Sequence, residues 1–177
     1  MNLKEHIRAV PDFPKPGIVF RDITPLLRSP RAFREVEDRL VEAFLSDGVT
    51  AVVGIESRGF IFGAAVARRL GVALVPARKQ GKLPADCIAE SYALEYGEAV
   101  LEIHADALGR QDRVLIVDDL LATGGTAAAT ARLVERLGAT VAGLAFVVEL
   151  SFLGGRKPLA GRKIVALVDY ASEGMPR

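Results

Sequence analysis

The chain holds a single cysteine, Cys87, so no internal disulfide can staple it, and such thiol usage fits a reducing compartment. No apolar run approaches the ~18 residues that a membrane-spanning helix needs. The opening residues, MNLKEHIRAVPDFPKPG, lack the continuous apolar stretch of a secretory signal. Charge of neither sign prevails: 23 basic side chains against 22 acidic ones leave a formal net charge of +1, too small for a field that would gather nucleic acid or a membrane surface. His6 and His104 stand far apart, and with one cysteine they form no zinc-binding spacing. The GxSxG elbow of a serine hydrolase is absent, as are internal repeats and low-complexity segments. These absences predict a cytoplasmic protein without nucleic-acid or membrane partners. At 177 residues, half of them hydrophobic, one domain with a real core is expected.

What is present is a regular alternation. Ser29-Pro30 has the form of an N-cap followed by proline at the first helical position. Phe33, Val36, Leu40 and Phe44 then recur at helical spacing until Gly48. TAVVGI (Thr50 to Ile55) predicts a buried strand, FIFGAAVARRL (Phe60 to Leu70) a helix closed by Gly71, and VALVP (Val72 to Pro76) a second strand. RVLIVDD predicts a third strand that ends on the acids, and a helix follows from about Thr126 to Leu137, stopped by Gly138. TVAGLAFVVEL and KIVALVD give two more strands. Near-continuous apolar strands separated by helices predict an α/β fold: an open, mostly parallel sheet with helices on both faces. Such sheets bind ligands beyond the carboxyl ends of their strands.

Two segments depart from the alternation. Residues 1–30 carry five of the nine prolines, Pro11, Pro14, Pro16, Pro25 and Pro30, and should form an extended, irregular cover. Residues 78–103, RKQGKLPADCIAESYALEYGEAVLEI, begin basic and glycine-rich, then alternate as two strands around Tyr96-Gly97-Glu98. A long excursion between core strands is more often an active-site lid than an idle loop.

The most informative stretch is VLIVDDLLATGGT, Val114 to Thr126. Adjacent carboxylates, Asp118 and Asp119, follow an apolar strand, where they repel each other and are costly to desolvate. Thr123-Gly124-Gly125-Thr126 then occupies a strand-to-helix turn. Glycines there let amide groups converge on an anion, and the helix adds its positive end. The pattern is neither GxxxxGK[ST] nor GxGxxG. A bare glycine turn can be a helix cap and no more. The acid pair ahead of it suits vicinal hydroxyls beside a phosphate, which describes a ribose-5-phosphate site.

This stretch resembles the 5-phosphoribosyl 1-pyrophosphate (PRPP) motif of the type I phosphoribosyltransferases. FPKPGIVFRDITPLL, GIESRGFIFG, RKQGKLP, SYALEYGEAVLEIHADAL and VVEL extend the likeness to the adenine-specific branch of that family. The resemblance implies transfer of a phosphoribosyl group from PRPP to adenine, giving AMP and pyrophosphate, with Mg²⁺ held mainly by substrate and water. It implies a homodimer. In its terms residues 1–30 are a hood, 78–103 a lid and 114–126 the PRPP motif of a single domain, 1–177.

The same resemblance implies a role for each matching residue. Ala122, Thr123, Gly124, Gly125 and Thr126 would anchor the 5-phosphate, and Asp118 and Asp119 the ribose hydroxyls. Glu56, Ser57, Arg58 and Gly59 would form the pyrophosphate turn, with a non-proline cis peptide nearby. Arg58 would steady the departing charge, although it could simply pair with Glu56. Arg78, Lys79 and Lys82, which alone would read as a solvated basic face, would contact pyrophosphate. Glu95 would act as general acid/base and Tyr96 would close over the reacting centre. Val19, Phe20 and Arg21 would cover the base, with Leu150 beside it. Backbone groups near Arg21 would read the adenine edge, and Phe20 would stack on the ring or serve as plain core. A 6-oxopurine or pyrimidine transferase would share the motif but need a different base-reading segment. A PRPP-sensing regulator would be expected to add a basic DNA-binding domain.

Overall fold

The computed structural model describes residues 1–93 and 98–174. A short 3₁₀ turn, Leu3–His6, leads into two strands, β1 (Arg8–Pro11) and β2 (Val19–Asp22). They pair antiparallel, with Val10 opposite Phe20. The expected irregular cover is thus partly a two-stranded ribbon, because the β-branched and aromatic residues of VFRD favour extended pairing. Helices α1 (Thr24–Arg28) and α2 (Pro30–Phe44) follow. Ser29 caps α2 as its position predicts, its hydroxyl accepting from the Ala32 amide at 3.3 Å.

The main sheet is built from β3 (Ala51–Ile55), β4 (Ala73–Lys79), β5 (Cys87–Ala93), β6 (Glu98–His104), β7 (Arg113–Leu121), β8 (Thr140–Leu150) and β9 (Ile164–Tyr170). Its spatial order is β5-β6-β4-β3-β7-β8-β9. Strands β4, β3, β7, β8 and β9 run parallel. The lid strands β5 and β6 form an antiparallel hairpin at one edge. Helix α3 (Gly59–Leu70) joins β3 to β4, and α4 (Gly125–Arg136) joins β7 to β8.

Successive strand residues point to opposite faces, and both faces are covered. Val52, Leu115, Val117 and Ala145 pack with Val36, Leu40, Phe44, Phe62 and Val66 of α2 and α3. Val53, Val114, Ile116 and Phe146 pack with Leu133 and Val134 of α4. Full burial of each larger side chain is worth about 1.5–3 kcal/mol. These two cores hold the carboxyl ends of β3 and β7 side by side.

Two strands run past their expected ends. β7 continues through the acids to Leu121, because Leu120 and Leu121 still pair with Val148 and Glu149 of β8. β4 continues past Pro76 to Lys79, because Arg78 and Lys79 find Glu102 and Leu101 on β6. The acid pair therefore sits within a strand, two residues short of its end.

Candidate active site

The turns after β3 and β7 open onto a cavity of about 310 Å³. Asp118, Asp119 and Ala122 through Thr126 line one side of it, and Glu56, Arg58 and Lys79 line another. Helix α4 starts at this wall, with Gly124 in a left-handed conformation at its N-cap (φ +83°). The first helical bond runs from the Ala128 amide to the Gly124 carbonyl at 2.9 Å. The amides before it have no carbonyl within the helix to bond, and the helix dipole reinforces their pull on an anion.

The turn after β3 brings Arg58 across to β7. Its Nε lies 2.8 Å from Asp119 Oδ2, so Arg58 pairs with Asp119 rather than with Glu56. The guanidinium also lies 5.3 Å from the Phe20 ring centroid, placing the hood next to this pair. Gly59 permits the close approach. A Cβ there would lie 2.8 Å from both Asp118 Oδ1 and the Val117 carbonyl oxygen. The peptide between Glu56 and Ser57 is cis, as the likeness implied for this turn.

The two acids titrate abnormally. Burial, and then the charge of Asp119, push the Asp118 carboxyl well above its usual range. Burial also raises Asp119, although Arg58 opposes the shift. Asp118 Oδ1 accepts from the Asp119 amide at 2.8 Å, and that bond partly steadies its charged form.

The basic strip is not uniform. Glu56 accepts from the Lys79 amide at 2.9 Å, pairs with Arg78 at 3.4 Å and is bonded to Lys82. Burial works to raise the Glu56 carboxyl, but Lys82, the Lys79 amide and Arg78 together hold it below its usual range. Arg78 and Lys82 are thus engaged by Glu56, whereas Lys79 is the member of the strip that lines the cavity.

Val19, Phe20 and Arg21 lie on β2, and Leu150 ends β8, all outside the cavity lining. The Arg21 side chain is buried, stacks 4.0 Å from the Tyr170 ring centroid and donates to the Gly174 carbonyl at 2.9 Å. It points towards Tyr170 and the backbone of residues 173 and 174. Glu95 and Tyr96 fall outside the described residues. Sequence reasoning missed Tyr92 and Leu101, which also line the cavity. The period-2 pattern of β5, with Ile88, Glu90 and Tyr92 on one face, was the available signal for Tyr92.

A phosphoribosyl transferase domain model matches residues 22–166. The chain is 58% identical over 170 residues to the adenine phosphoribosyltransferase of Carboxydothermus hydrogenoformans, covering 96% of this chain and 100% of that one. The chain belongs to the adenine phosphoribosyltransferase family. The crystal structure of the family member from Thermoanaerobacter pseudethanolicus superposes with a TM-score of 0.92 at 50% identity, covering 95% of this chain and 98% of that one. A more distant member, from Trypanosoma brucei, was solved with AMP, pyrophosphate and ribose-5-phosphate. It superposes with a TM-score of 0.86 at 28% identity, covering 94% of this chain and 78% of that one.

Proposed function

We infer that the chain converts adenine and PRPP to AMP and pyrophosphate, a purine-salvage reaction. The observation that carries this reading is one cavity in which a helix N-terminus, an acid pair and the cations Arg58 and Lys79 face one another. The trypanosomal relative, solved with both products of this reaction, supports it.

In this reading the amides from Ala122 to Thr126 hold the 5-phosphate, and Asp118 and Asp119 accept hydrogen bonds from the ribose hydroxyls. The bond from ribose C1 to pyrophosphate oxygen breaks through an oxocarbenium-like state, and the bond from adenine N9 to C1 forms. Arg58 and Lys79 stabilise the departing diphosphate charge, and preorganised charge of this kind is usually the largest catalytic contribution. Glu56, with Ser57 and Gly59 in its turn, holds Arg78 and Lys82 at the diphosphate end. The N9 proton passes to Glu95, while Tyr96 closes the site against water. The backbone of Val19, Phe20 and Arg21 reads the adenine edge, with Leu150 against the ring. A backbone N–H facing N1 and a carbonyl facing the 6-amino group fit adenine and mismatch a 6-oxopurine.

Mg²⁺ fits the donor chemistry. The carboxylates that face the cavity are those of Glu56, Asp118 and Asp119, and Arg58 already engages Asp119. A small cation that keeps its waters and takes oxygens from the substrate suits such a site, and when bound it supplies charge neutralisation for the diphosphate. A homodimer is what the resemblance to the family implies. Among the described residues no helix is long and apolar enough to cross a membrane. The test is to follow AMP and pyrophosphate from adenine, PRPP and Mg²⁺. Equimolar products, lost on adding EDTA and regained with excess Mg²⁺, support the reading. Failure to form AMP would overturn it.

A further inference from the structure

Glu149 stands one residue before the end of β8, beside Leu121 of β7, and is 4% exposed. A carboxylate so buried must be paired and hydrogen-bonded to be tolerated. Its partner is Arg156. Arg156 Nε donates to Glu149 Oε1 at 2.8 Å and Oε2 at 3.1 Å, and Nη2 donates to Oε2 at 2.7 Å. A forked pair of this kind fixes orientation as well as distance. It closes the loop that runs through the 3₁₀ turn Ser151–Leu153 and through Gly154 and Gly155.

The closed loop presses on the phosphate loop from behind. A Cβ on Gly155 would lie 2.2 Å from the Ala122 carbonyl oxygen. A Cβ on Gly124 would lie 2.2 Å from the Gly155 carbonyl oxygen and 2.8 Å from Pro158 Cγ. Backbone meets backbone at both points, with no side chain between to absorb a shift. Neither Glu149 nor Arg156 lines the cavity that holds the acid pair and the phosphate turn, and the carboxylate of Glu149 is spent on Arg156.

We propose that Glu149 and Arg156 are positioning residues for PRPP: their forked ion pair seats Gly155 against Ala122 and Gly124 and so sets the curvature of the 5-phosphate loop. The proposal rests on the reading of that loop as the 5-phosphate site. A misplacement of even an ångström at a binding loop is costly. The effect should fall more on PRPP than on adenine, because the loop packs on Ala122 and Gly124, whereas Leu150 is this segment's one contact with the base and the hood supplies the rest.

The experiment is steady-state kinetics, with melting temperatures, for Glu149→Gln, Arg156→Lys, Arg156→Met and Gly155→Ala. Thr126→Glu, which sets a negative charge in the loop, serves as the control on the site itself. The expected result is a rise in KM for PRPP on the order of tenfold for Glu149→Gln, Arg156→Met and Gly155→Ala, with kcat changed by less than about twofold and adenine KM raised several-fold less than PRPP KM. Arg156→Lys, with charge but no fork, recovers only part of the loss. If Gly155→Ala does not fold, the two Arg156 variants decide. Unchanged PRPP KM in folded variants, while Thr126→Glu raises it, would overturn the positioning role alone. An equal rise in both KM values would also overturn it, since that marks general loosening. Unchanged PRPP KM in Thr126→Glu as well would overturn the phosphate-site reading beneath it.

Discussion

Replacing Arg58 with alanine would leave Asp119 buried beside Asp118 without its cation. The pair is 2.8 Å apart, and the two side chains are unequally buried, Asp119 at 6% exposure and Arg58 at 39%. Cutting a fully buried pair costs about 3–5 kcal/mol, whereas an exposed pair is worth about 0–1 kcal/mol. Solvent reaching Arg58 screens this one, so we expect a loss of about 1–2 kcal/mol. For a chain of this length that is a fall in Tm of about 3–6 °C. The loss has a pH signature. Burial already raises the Asp119 carboxyl and Arg58 opposes the shift, so removing Arg58 lets it rise further. A carboxyl raised in the folded state contributes stability that is present below its unfolded pKa and lost as pH rises through the folded value. The deficit of Arg58→Ala should therefore be widest near neutrality and shrink towards the ordinary aspartate value of about 4. Calorimetric melts of both proteins between about pH 7.5 and pH 5 test this. An equal deficit at every pH, or none near neutrality, would refute the reasoning.

Asp118→Asn should raise Tm near neutral pH, because it removes a charge that burial and Asp119 disfavour, and the gain should vanish as pH falls to where Asp118 is protonated in both states. The same variant should chiefly weaken PRPP, seen as a raised KM. Lys79→Ala should raise PRPP KM more than Lys82→Ala does, because Lys82 is engaged by Glu56 while Lys79 lines the cavity; parallel titrations with PRPP compare them. Glu95→Ala should lower kcat more than it weakens PRPP binding, and pre-steady-state turnover against a PRPP binding isotherm separates the two.

Much of the architecture was legible because its signals are local. Apolar strands, helix spacing, the Ser29 cap and the glycine turn each lie within a few neighbouring residues. The ends of β4 and β7 were not, since Lys79 and Leu121 remain in strands through partners on β6 and β8. At the site, the chemistry of Asp118, Asp119 and the turn after them could be read from residue types. The pairing of Arg58 with Asp119 could not, because Glu56 was the nearer candidate in sequence and the fold instead gives Glu56 to Arg78 and Lys82. Glu149 and Arg156 carried no local signal: one lies next to the end of a strand that reads as core, and the other looks like a surface cation.

The most direct test of the account is a base panel. The protein is supplied with PRPP, Mg²⁺ and adenine, hypoxanthine, guanine, xanthine or orotate in turn, and kcat/KM is measured for each nucleotide formed. The account predicts AMP as the one efficient product, favoured over 6-oxopurine products by a factor of about 10⁴ or more, as a site with mismatched buried hydrogen-bonding groups requires. Comparable turnover of hypoxanthine or guanine would contradict it.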